Sequence, residues 1–131
     1  MKRTYRGACH CGRFRFEVVA DIDHVRVCDC SICHMRGALN FRVPEDAVRL
    51  VTPLSELTLY QWGTMTAEDY FCPVCGILPL RRPRTRHPSE SPGPGQPAAF
   101  DGWAVNTRCL EGFDTDSVPQ KRVHGSRLPV P

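Results

Sequence analysis

A chain of 131 residues has the size of one domain and leaves no room for a second core. Its formal net charge of +3 argues against a strongly basic, polyanion-seeking surface, and 41% hydrophobic content allows a modest core. Small domains of that kind often add metal or disulfide crosslinks. No run of residues approaches the length of a membrane-crossing helix, so no membrane role is expected.

Met1 to Gly7 leads into Cys9 with no apolar leader segment, and the expected compartment is the cytoplasm. Cys9-His10-Cys11-Gly12 forms a C-x-C-G turn. Phe14, Phe16 and Val18 then alternate with Arg13, Arg15 and Glu17, the period of a half-buried strand. Short β-rich segments follow at 25–27, 39–43, 57–62 and 69–71, with weaker ones at 77–80 and 103–107. Residues 44–48 read as a turn or one helical turn. No segment keeps a helical period, so the expected class is mainly β.

Residues 81–99 break this pattern, with Arg81, Arg82, Arg84, Arg86 and His87 set among prolines and then glycines. They read as a long surface loop within a domain spanning 1–116. Residues 117–131 read as a loosely attached C-terminal extension.

The eight cysteines, at 9, 11, 28, 30, 33, 72, 75 and 109, need an explanation. An even count raises disulfides first, but a reducing compartment favours metal ligation. Cys72-Pro73-Val74-Cys75-Gly76 is a C-x-x-C-G knuckle, whose tight turn aims backbone N–H groups at sulfur and whose glycine tolerates positive φ. With Cys9 and Cys11 it can close a four-thiolate zinc site that is structural, because no coordination position stays open. Four thiolates can also hold an iron–sulfur centre, the less favoured reading.

Cys28-Asp29-Cys30-Ser31-Ile32-Cys33 can bring three thiolates to one ion. The fourth position is then open to water, a thiol substrate or a partner residue, or is closed by His34. Three reduced thiols without metal are the plain alternative. An open position separates catalytic from structural zinc. Two zinc ions on seven thiolates would bring the net charge to zero, because ligands bind deprotonated. Cys109 reads as a small buried apolar residue, or as a reactive thiol beside Arg108.

Taken together, these stretches resemble the glutathione-dependent formaldehyde-activating enzyme family, in the branch that contains the centromere protein V domain. The residues that carry the resemblance are Gly7 to Gly12 with Phe14 and Phe16, Cys28 to Cys33, Phe71 to Gly76, and Val105 to Leu110. The resemblance implies folded antiparallel sheets like those of a zinc-containing Rab accessory factor. It implies structural zinc on Cys9, Cys11, Cys72 and Cys75, and a second, catalytic-type zinc on Cys28, Cys30 and Cys33 near bound glutathione. The implied reaction joins glutathione and formaldehyde into S-hydroxymethylglutathione, formally a carbon–sulfur lyase in reverse.

His34-Met35, Asp69 and Ile77 depart from the relatives' pattern, which moves the expected contacts to glutathione elsewhere. Arg81, Arg82, Arg84 and Arg86 are candidates, against their reading as a solvated loop. The competing function is a non-catalytic, zinc-stabilised module that binds a protein or a nucleic acid. Nucleic acid is disfavoured, because no aromatic residues are interleaved with the basic ones.

Overall fold

The alternation in the first third of the chain builds the smaller of two sheets. The computed structural model describes residues 1–84, 91, 93–95 and 100–125. In chain order its elements are β1 (Arg3–Ala8), β2 (Arg15–Ala20), β3 (Val25–Cys28), α1 (Ser31–Arg36), β4 (Asn40–Val43), β5 (Val48–Leu50), β6 (Thr58–Tyr60), β7 (Glu68–Phe71), β8 (Leu80–Arg82), β9 (Trp103–Asn106) and β10 (Gln120–Val123). β1, β2 and β5 form an antiparallel sheet with β2 at its centre. Phe16, Val18 and Ala20 of β2 point into the core while Arg15 and Val19 face out, as period-two patterning requires.

The larger sheet runs β10-β3-β4-β9-β8-β7-β6. All its pairings are antiparallel except β10 on β3. Every residue of the central β9 is buried. Trp103 and Val105 of that strand lie opposite Val43 and Leu80 and join Phe14, Phe16 and Val18 in one core. Full burial of side chains this size contributes about 1.5–3 kcal/mol each, so this cluster holds the two sheets together. Among the described residues no helix is long and apolar enough to cross a membrane.

The mainly β class stands, with differences in detail. Cys33 lies on a short helix, α1, that ends at Gly37 in the left-handed conformation. Six residues are under two turns, too few to show a helical period. The 77–80 strand begins only at Leu80 and continues through Arg81 and Arg82, so the first arginines of the 81–99 segment belong to the sheet and not to a loop. Of that segment, 85–90, 92 and 96–99 lie outside the described residues, Arg86 and His87 with them. The segment read as an extension contributes β10 to the sheet edge.

Candidate metal centres and an arginine-lined pocket

The C-x-C-G and C-x-x-C-G turns form as their residue types require. The N–H of Gly12 donates to the Cys9 carbonyl, and that of Gly76 to the Cys72 carbonyl, at 3.0 and 2.8 Å. Both glycines adopt positive φ, +77° and +78°, where a side chain would be strained. The sulfurs of Cys9, Cys11, Cys72 and Cys75 thereby lie within 4.8 Å of one another. Cys11 Sγ is 3.6 Å from Cys9 Sγ and 3.7 Å from Cys72 Sγ. Tetrahedral zinc with Zn–S bonds of 2.3 Å has sulfur–sulfur edges of about 3.8 Å, so the donor set fits that ion.

Backbone N–H groups support these sulfurs. Phe14 N–H lies 3.4 Å from Cys9 Sγ. Burial opposes ionisation of Cys75, but the N–H groups of Ile77 and Cys11, together with neighbouring sulfurs, bring its thiol down to about 6. Cys109 sits near this group, and burial foremost pushes its thiol up to about 12. Cys109 is only half-buried, and partial burial of this kind suits a small apolar side chain.

The second cluster joins the end of β3 to α1. The sulfurs of Cys28, Cys30 and Cys33 also lie within 4.8 Å of one another. His34 is exposed on α1 and is not among the gathered ligand atoms. The proton affinities of Cys33 and Cys30 move apart. Cys33 is pushed up to about 12, chiefly by burial. Cys30 is lowered: burial opposes this, but the Cys33 N–H, the neighbouring thiols and the Arg81 charge outweigh it. All eight cysteines are free of disulfides.

This cluster opens on a pocket that Arg26, Arg42, Arg81 and Arg84 also line. Arg81 faces Asp69 across β7 and β8 and donates from Nε to Asp69 Oδ1 at 2.5 Å. Arg36, on α1, donates to the other oxygen at 3.2 Å. Asp69 is 1% exposed, so one buried carboxylate ties the helix of Cys33 to the strand of Arg81. Asp69→Asn is expected to lower stability by about 3–5 kcal/mol, since it strands two guanidinium groups. Chemical denaturation of the metal-loaded chain measures this, and an unmoved midpoint would refute it.

Arg82 pairs with Glu45 and Glu68 and lies 3.7 Å over the Trp103 ring. Arg84 pairs with Glu68 and Asp101. The solvated-cluster reading of these arginines is therefore corrected: acidic residues elsewhere in the chain hold Arg81, Arg82 and Arg84 in place. Arg26 and Arg42 have no carboxylate partner among the described residues. Partial desolvation, and then repulsion from Arg26 and Arg81, lower the proton affinity of Arg42. Trp62 Nε1, Arg84 Nε and Asn40 Oδ1 are buried without a partner, and all three residues line this pocket. Two of these atoms, Trp62 Nε1 and Arg84 Nε, are donors that with Arg26 and Arg42 suit an anionic ligand, and Asn40 Oδ1 is an acceptor that suits a ligand N–H or O–H. Arg26, Arg42 and Trp62 escaped the sequence reading because each sits singly in a different segment.

Fold and thiol clusters together define a small β protein with two cysteine-built centres that could hold zinc. The model of the glutathione-dependent formaldehyde-activating enzyme family matches residues 4–91, more than half of the chain, and the chain belongs to that family. The crystal structure of a Rhodobacter sphaeroides protein superposes with a TM-score of 0.69 at 32% identity, over 88% of this chain and 99% of that one.

Proposed function

We propose that this chain is a zinc-dependent enzyme of carbon–sulfur chemistry acting on a thiol adduct such as S-hydroxymethylglutathione. The observation that carries the reading is the opening of the three-cysteine cluster onto a pocket with unpaired arginines and buried unpaired donors. Cys9, Cys11, Cys72 and Cys75 would hold a structural zinc, and Cys28, Cys30 and Cys33 a second one. On Cys28, Cys30 and Cys33 a zinc ion would carry a net charge of −1 and would supply ionisation of a thiol near neutral pH more readily than activation of a carbonyl. Thiol capture is therefore favoured over carbonyl polarisation.

Arg26 and Arg42 would orient the carboxylates of a thiol such as glutathione. The thiolate sulfur then attacks the aldehyde carbon. A C–S bond replaces the C=O π bond, and the oxygen takes up a proton equivalent to the one the thiol lost. The lyase direction reverses these changes. The working compartment we propose is the cytoplasm, where eight free thiols stay reduced.

The test is metal content of the reduced full chain, with cobalt substitution before and after glutathione. Two ions per chain are expected, with glutathione altering the spectrum of one. A single tightly held ion indifferent to glutathione would overturn the reading and leave a zinc-stabilised binding module.

A further inference from the structure

One wall of the three-cysteine cluster comes from far along the chain. β10 runs parallel to β3 with Val123 beside Cys28. The Asp29 N–H donates to the Val123 carbonyl at 3.1 Å, and His124 Nδ1 lies 3.2 Å from Asp29 Oδ2. These contacts pin the strand end to the segment that carries Cys28 and Cys30.

Gly125 then crosses the cluster at very close range. A Cβ at this position would lie 2.5 Å from Cys28 Sγ and 3.1 Å from Cys30 Cβ. Gly125 is not among the glycines with positive φ, so what it supplies is space rather than an unusual conformation. Val123 and Gly125 line the same pocket as Arg26 and Arg42, so this wall also bounds the room left for a ligand. The family match ends at residue 91, which places the wall outside the matched segment.

We infer that residues 123–125 are a positioning element of the three-cysteine site, and that Gly125 sets Cys28 Sγ toward Cys30 and Cys33. The inference rests on the reading that this cluster holds a metal. A side chain at 125 meets the Cys28 sulfur first, and as a side-chain tip that sulfur gives way at less cost than the backbone-anchored Cys30 Cβ. Three thiolates bind one ion tightly only while they converge, so moving one lowers affinity and changes the ligand field.

The experiment is Gly125→Ala in the full chain, read by cobalt titration. The second-site cobalt Kd is expected to rise at least tenfold with a shifted thiolate-to-cobalt band, while the four-cysteine site keeps its spectrum. A parallel readout uses chain loaded only at the four-cysteine site, with iodoacetamide alkylation of Cys28 followed by mass spectrometry. Alkylation of Cys28 should accelerate severalfold in the variant, with Cys109 unchanged. Unaltered cobalt affinity and unaltered Cys28 alkylation would overturn the inference. If the wild-type chain takes only one cobalt, the proposed function fails instead, and the alkylation rates alone decide the role of Gly125.

Discussion

Cys72→Ser is expected to leave the chain without a cooperative fold. Cys72 is fully buried and its sulfur lies 3.7 Å from Cys11 Sγ, so the substitution removes one corner of a set drawn from residues 9 to 75. Structural zinc supplies about 10–16 kcal/mol of folding free energy in small zinc modules. A whole domain of ordinary size is stable by only about 5–15 kcal/mol. Loss of a zinc ion held by these four thiolates would therefore outweigh what the core can hold alone, and strong chelators should act in the same direction. Circular dichroism through a thermal ramp, with zinc measured alongside, checks this. A full-amplitude cooperative melt in the zinc-free variant would refute the structural role.

Cys30→Ser is expected to do the opposite: to eliminate thiol-dependent turnover while the melt keeps its amplitude and the four-cysteine site keeps its ion. The proton affinity of Cys30 is lowered by the Cys33 N–H, the neighbouring thiols and the Arg81 charge against the opposing effect of burial. A hydroxyl there cannot serve as a soft anionic ligand. The cluster also lies at the end of β3 and the start of α1, and none of its three cysteines belongs to the core cluster that joins the sheets. Turnover is read as glutathione-dependent loss of formaldehyde, and folding by the melt. Unfolding of the variant would make the second cluster a structural site, and undiminished turnover would remove it from the chemistry.

Much of the framework was legible because it is local. C-x-C-G and C-x-x-C-G place their glycines by spacing alone, and the structure gathers the seven cysteines into the same groups of four and three. Phe14, Phe16 and Val18 announce a strand because one face of it is buried. What could not be read depends on register. Asp69 and Arg81 are twelve residues apart and meet only because β7 and β8 align them. Without that alignment Arg81 looks like the start of a solvated basic run. β10 reads Gln-Lys-Arg-Val, with its first three residues exposed, and nothing in so polar an edge strand announces parallel pairing with residues 25–28. The wall formed by Gly125 was hidden for the same reason.

The parallel pairing of β10 with β3 also separates the two centres in time. Every sulfur of the four-cysteine group belongs to the first 75 residues, whereas the wall of the other group is supplied by residues 123–125. Synthesis proceeds from the N-terminus, so the first centre can assemble on a nascent chain that still lacks the wall of the second. A ribosome paused between these two points would carry a chain whose crosslink can form while its pocket stands open along the Cys28 side.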